Sequence, residues 1–568
     1  MTKKVIVLLL AVSMIASMAA CGGAPAASTT AAAATTAAPA TTKAAETTKA
    51  AETTKAAETT KAAETTKAAE TTKAAETTKA AETTKAAETT KAAEPSYKLD
   101  YYMISVKASD QAGAVAEAIN KLIEPKLNCT IEFTMISFGD WADKAIVALR
   151  AGEKIDIFFT PEWNGYMANI TAGSLLALDD PNGPYGDLIN TYAPDTVRDL
   201  GDFIPANVVN GFLYGVATNK ELCVPDGLMW NKTVAEKYNI DMDSIKTPEQ
   251  LTPILEEFKS TEEYANGMYP LLNGGNDGAF QPFIQGFIQG MEPITMYVGE
   301  PNAKDGVPVL TWEQPYMLER IQRTKGWYEN GYMHPDSYLD TYKGDDFTNT
   351  GNFLVSTNYV LKGGQVKAKE LMGQSGNPDL ELYEVQTGAS INVTTHAGGS
   401  LLGIPITSEN PVKAMQYINE MHQNEELLNL MMWGIEGKHY DLDSRGMVIP
   451  KEMNGWSDSH GGPWTLGNQF KQLLNYKEDP LKYQQMLELT AQAWPHESLG
   501  FRFNRTDFDA EFAAISNINR TYSRSIRCGV NTDNFETFQA ELKAAGLDRV
   551  FEAVKQQYAA WKAEKYGV

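Results

Sequence analysis

Apolar and polar residues alternate from Lys98 to Val106, the period-2 signature of a strand with one buried face. From Ala112 to Leu127 the period changes: Val115, Ala118, Ile119 and Ile123 recur at helical spacing. A second strand is predicted over Thr130–Ile136, a second helix over about Asp140–Ala151 ending at Gly152, and a short apolar strand over Ile155–Phe159. Strand, helix, strand, helix, strand in that order implies a parallel sheet. Ligands of such sheets sit at the carboxyl ends of the strands, which places Ser105 to Asp110 and Thr160 to Tyr166 at a cleft. Further on, Thr247-Pro248 reads as an N-cap followed by a first-turn proline, and residues 269–290 as loop chemistry followed by a helix. Strands are expected at 295–299 and 308–312 around the Asp305-Gly306 turn, an amphipathic helix over Gln314–Asn330, and a strand over Asn352–Leu361 returning past the cleft.

The amino-terminal end is organised differently. Lys3 and Lys4 precede an apolar run, Val5 to Ala16, too short to span a membrane comfortably, and small residues then lead to Cys21-Gly22-Gly23. This is the layout of a cleavable export signal over residues 1–20. With Cys at the cleavage point it looks like the lipobox of bacterial lipoproteins, so the Cys21 thiol is expected to carry lipid; Met18 stands where Leu is more usual. Two acyl chains anchor where one does not, each buried methylene adding about 0.8 kcal/mol. Residues 21–95 then collapse to Ala, Thr, Lys, Glu and a little Pro, with KAAETT repeated from Lys43. That composition cannot form a core, and a six-residue period fits no helical seam. A solvated spacer of about 50 Å is expected, the stalk of an anchored protein.

About 470 residues remain, enough for two or more lobes. The formal charge of −23 becomes −25 once Lys3 and Lys4 leave with the signal, which argues against nucleic acid or anionic lipid as the main partner. Cys129, Cys223 and Cys528 have no CxxC spacing and suggest neither a disulfide framework nor a zinc site. Asp441-x-Asp443-x-x-Gly446 with Glu452 mimics a calcium loop, but Arg445 occupies its fifth position, so no metal and no cofactor is assigned. Glu436 and His439 are spaced to share a proton; helix-end packing is the expected reading, since no nucleophile or second carboxylate is placed beside them.

The segments FGDWADKAIVALRAGEKIDIFFT (138–160), AGSLLALDD (172–180), NGFLYGVAT (210–218) and LMWNKTVAEKYNIDMDSIKTPEQL (228–251) resemble, in this order, the extracellular solute-binding proteins of ABC importers. Asn210 and Ala217 depart from the usual Asp and Pro. SLLGIPITSENPVKAMQYINEMHQNEELLNLMMWGIEGKHY (400–440) and the 499–563 stretch resemble the LipO-like subgroup with a C-terminal DUF3502 domain, although Phe503-Asn504 replaces that subgroup's Phe-Asp. The resemblance covers roughly residues 97–568. It implies an α/β periplasmic-binding-protein-like fold: lobe 1 at about 96–229 plus returning segments, lobe 2 at about 230–400, crossing hinge strands, and a helical C-terminal region over 490–568.

The implied function is reversible capture of a small solute, a carbohydrate by family, for an ABC permease, by a monomer held to the outer face of the cell membrane through its lipid alone. A surface glycan-degrading enzyme and a ligand-sensing subunit are the alternatives. A reversible binder needs apolar faces for C–H surfaces and a few oriented polar groups. Trp163 beside Glu162 supplies a ring next to a bidentate acceptor. Ser105, Lys107 and Asp110 share that cleft, with Trp230 near the hinge, and Asn276, Phe280, Gln281, Asn358 and Tyr359 are the second-lobe candidates.

Overall fold

The computed structural model describes residues 95–272, 278–280, 284–285, 288, 291–297, 305–339, 341–342, 344–357, 360–452 and 454–567. The expectations for the signal, Cys21 and the repeat therefore lie outside the described residues.

β1 (Tyr97–Ser105), α1 (Ala112–Leu127) and β2 (Cys129–Ser137) fall within a residue of their predicted bounds. Asn128, in the left-handed conformation at φ 50°, ends α1 and turns the chain directly into β2. The second predicted helix is split into a π-turn, Ala142–Ile146, and an α-turn, Val147–Ala151. β3 (Ile157–Phe159) is fully buried. β1 pairs in parallel with both β2 and β3, and its register ends with Ser105 level with Ser137. The strands Leu401–Gly403 and Val216–Ala217 complete a five-stranded sheet on the far side of β3, both in antiparallel pairings. This sheet and the helices 411–423 and 425–433 share one apolar core.

The second lobe is a four-stranded sheet ordered 382–386, 227–231, 353–356 and 269–272. Thr247 and Gln250 form a reciprocal capping box on the helix Pro248–Phe258, with Pro248 in its first turn as the sequence indicates. Strands Ile294–Tyr297 and Val307–Leu310 pair antiparallel, and the helix Pro315–Glu329 follows. Within 269–290 the expected helix is absent from the described residues. A 3₁₀ turn, Gly278–Phe280, and a short strand, Ile284–Gln285, stand there instead.

The last three helices, Asp509–Arg527, Phe535–Ala544 and Leu547–Tyr566, pack on the second lobe rather than standing apart. Phe501, Phe512, Phe538 and Val554 join Trp312, Met317 and Ile321 in one core. Trp312 meets Phe538 edge to face at 4.9 Å.

Among the described residues, three chain passages meet between the two sheets. Strand Ile391–Asn392 pairs in parallel with Trp494–Pro495, while Cys223 bridges to Asn392 from the other side. Three hydrogen-bonded backbones therefore lie side by side between the lobes. Cys129, Cys223 and Cys528 are free and buried, and burial pushes each thiol up to about 11.

Candidate functional site

The carboxyl ends of β2 and β3 carry aromatic rings that the core does not cover. Phe138 directly follows β2, its N–H bonded to the Ser105 carbonyl at 3.0 Å. After β3, Pro161 starts a 3₁₀ turn, Glu162–Asn164, that lifts Trp163 to the surface. A second turn, Pro463–Thr465, brings Trp464 alongside. Phe138 stacks on Trp163 and on Trp464, each at 6.2 Å between centroids, and the two tryptophans are 6.4 Å apart. Phe138 is 38% and Trp163 39% exposed, whereas Phe159 beneath them is fully buried and touches both tryptophans. The Trp163 indole N–H donates to the Gly399 carbonyl at 2.8 Å, which fixes its ring plane. Contiguous exposed rings on a rigid backing are what a pyranose C–H face requires.

Trp464 also lines a cleft of about 710 Å³. Its remaining walls come from residues 362–374 of the second lobe and from the 432–433, 450–452 and 472–483 stretches. Glu370 organises one wall, with Lys482 at 2.8 Å and Lys362 at 3.1 Å. Burial raises the Glu370 carboxyl, but the Lys362 and Lys482 charges overcome it and hold the group at about 2. Burial likewise works against the Lys482 ammonium, and Glu370 and Glu478 hold it above the ordinary lysine range.

Of the residues singled out by sequence, Trp163 is at the aromatic surface. Ser105 is not available: it is fully buried at the end of β1, under a loop whose Ser459 carbonyl accepts the Val106 N–H at 2.7 Å. Lys107 and Asp110 are turned to that same loop, Lys107 pairing with Asp458 at 2.6 Å and Asp110 lying against Gly455. Glu162 also departs from the expectation, since Arg502 takes its carboxylate at 2.8 Å and both side chains are buried. Arg502 also donates to Asn207 Oδ1 at 2.9 Å and to the Ala206 carbonyl and lies over the Tyr166 ring, so the pair ties the C-terminal region to the first lobe. Trp230 is corrected too: it lies on a central strand whose five residues are all buried, inside the second-lobe core. Phe280 is half-buried against the same core. Asn276, Gln281, Asn358 and Tyr359 lie outside the described residues.

Sequence reasoning missed Phe138 and Trp464. The available signal for Trp464 was an aromatic embedded in Gly461-Gly462-Pro463, a loop that cannot bury it within its own element. In the calcium-like loop, Asp443 accepts from the Arg445 guanidinium at 2.8 Å and from the Arg445 and Met447 backbone N–H groups, while Lys451 pairs with Asp441 at 3.1 Å. Among the described residues no three His, Cys, Asp or Glu side chains gather to hold a metal. Glu436 is exposed and His439 buried, its Nδ1 accepting the Ile435 N–H at 2.9 Å, so the two do not form an acid-base pair.

Residues 497–563 match the family model "Domain of unknown function (DUF3502)". A carbohydrate ABC transporter substrate-binding protein of Streptococcus pneumoniae serotype 4 is 26% identical over 471 residues, covering 80% of this chain and 89% of that protein. Among solved structures, the N-glycan transport solute binding protein NgtS of Streptococcus pneumoniae superposes with a TM-score of 0.69 at 22% identity, over 83% of this chain and all of NgtS. The HMO-binding, ABC-transporter-associated solute binding protein of Bifidobacterium longum infantis gives 0.57 at 14% identity, with 83% and 100% coverage. Two α/β lobes with paired strands between them, a closing DUF3502 domain and these relatives agree: the chain is a homologue of the extracellular solute-binding proteins of ABC transporters and has their fold.

Proposed function

We propose that this protein is the lipid-anchored substrate-binding subunit of an ABC importer, and that it captures an oligosaccharide between its lobes and passes it unchanged to a permease. The observation that carries this reading is the surface formed by the exposed Phe138 and Trp163 and the half-buried Trp464 at the carboxyl ends of the first-lobe strands, with Trp464 also lining a cleft walled by the second lobe. The relatives named as substrate-binding proteins for carbohydrate and N-glycan transport support the ligand class. Ligand touching both lobes binds the closed arrangement better than the open one. Only that difference in affinity drives closure, and an about 10⁴-fold difference takes the population from 1:99 to 99:1. The closed state then presents both lobe tips to the permease, and the monomer stays leashed through lipid on Cys21.

Thermal-shift and calorimetric screening of the purified protein against neutral and acidic oligosaccharides tests the reading. Trp163→Ala and Trp464→Ala are each expected to weaken binding at least tenfold with the melting temperature of the free protein little changed; unaltered affinity in both would overturn it. Labelled palmitate is expected to mark the wild type and not Cys21→Ser.

A further inference from the structure

We propose that the ligand carries an anionic substituent, a carboxylate or a sulfate ester, held at the lysine-lined end of the cleft while its neutral rings cover the aromatic surface. The inference rests on the oligosaccharide-capture reading and adds the charge class of the ligand. Across the whole chain acidic residues outnumber basic ones, 72 to 49. The cleft lining inverts that balance: Lys362, Lys367, Lys369, Lys451, Lys477 and Lys482 face it, against Glu370, Glu452 and Glu478.

Most of these ammonium groups are gripped from one side by a carboxylate. Lys362 and Lys482 converge on Glu370, Lys369 reaches Asp479, and Lys451 reaches Asp441. Asp441 and Asp479 are not part of the lining, so for these two lysines the cation stands in front and the anion behind. Lys477 differs. It donates to the Gly373 carbonyl at 3.3 Å and lies 6.0 Å over the Tyr476 ring, and no described carboxylate is within ion-pair distance of it. Gly373 belongs to the second lobe, so this exposed ammonium stands where the 475–478 loop meets the opposite wall.

The chemistry of the donors narrows the choice. A lysine offers three N–H donors and no acceptor, whereas a neutral sugar hydroxyl needs both, and carboxylates or amides meet that need better. A wall dominated by ammonium groups matches an acceptor-only partner. Among the described residues no arginine lines the cleft, so the wall presents point charges without the planar fork that grips an anion in a bidentate way. The acidic remainder of the molecule repels a uniformly charged polyanion, which favours an oligosaccharide with one or a few charged units.

Matched ligand pairs test this on the full mature protein by titration calorimetry: oligosaccharides carrying a single uronate against their methyl esters, sialylated against desialylated oligosaccharides, and singly sulfated against desulfated ones. In at least one pair the anionic member is expected to bind tenfold or more tighter, and the pair that responds separates carboxylate from sulfate. That ratio should fall at least threefold in Lys477→Met, an exposed substitution whose fold is checked by circular dichroism, and should shrink in 0.5 M salt. A neutral member binding as tightly as its anionic partner in every responding pair overturns the inference. If that neutral binding is lost in Trp464→Ala, oligosaccharide capture survives and only the charge assignment falls. Binding of no member of any pair removes both.

Discussion

Arg502 and Glu162 show how one residue can be read correctly as chemistry and wrongly as function. A carboxylate beside a tryptophan at the end of a strand suits a sugar, yet the Arg502 guanidinium, 4% exposed, claims it. Removing one member of a buried ion pair leaves the other charge desolvated and alone. Arg502→Met is accordingly expected to cost about 3 kcal/mol or more in urea unfolding, and the Arg502→Met, Glu162→Met double variant to recover much of that. Glu384 makes a different prediction. Burial raises its carboxyl to about 7, against the opposing hydrogen bond from the Ala368 N–H at 2.9 Å. Its folded pKa is above the ordinary value, so the stability held by the neutral form is fully present below about pH 4.5 and is lost as pH rises through about 7. Glu384→Gln keeps the acceptor without the charge. It should stabilise the protein by up to about 3 kcal/mol at pH 8 and have little effect at pH 4, measured by denaturant unfolding at both values.

At the scale of elements, local chemistry decides where helices and strands begin, and packing decides what they become. The Thr247 capping box and Pro248 are sequence signals that specify a start whatever the neighbours do. The C-terminal helices start without a side-chain cap, and their seating on the second lobe depends on a close approach. Gly529, at φ 74°, follows the helix Asp509–Arg527 and lies so near Lys325 that an added Cβ would be 2.2 Å from its Cα. Gly529→Ala adds backbone strain to a steric wedge between two helices. It is expected to cost about 2 kcal/mol or more and to raise hydrogen exchange in the Phe535–Ala544 and Leu547–Tyr566 helices before the first lobe is affected. Exchange rising equally in both lobes would show that the C-terminal region is not an independently released unit.

For the molecule as a whole, the hinge is the decisive feature. The passages at Cys223, Asn392 and Pro495 are hydrogen-bonded side by side, so bending one carries the others with it. A ligand bridging the aromatic surface and the opposite wall should therefore close the lobes as rigid bodies. Small-angle scattering is expected to show a smaller radius of gyration when an oligosaccharide that shifts the melting temperature is saturating. Trp464→Ala should show no contraction at the same concentration, and an unchanged radius in the wild type would remove closure from the mechanism.

The sequence by itself determined the parallel opening of the first lobe, β1, α1, β2 and β3, because period and caps are local properties that neighbouring residues settle among themselves. It also determined the helix start at Thr247-Pro248 and, by its likeness to a family, the two-lobe plan. Only the tertiary structure decided which polar and aromatic residues face the cleft. Trp230 and Ser105 are buried by strands and loops distant in sequence, Glu162 is occupied by a residue 340 positions away, and Phe138 and Trp464, far apart in the chain, become neighbours. A binding surface is a set of long-range coincidences, and the short-range regularities from which elements are read contain no record of them.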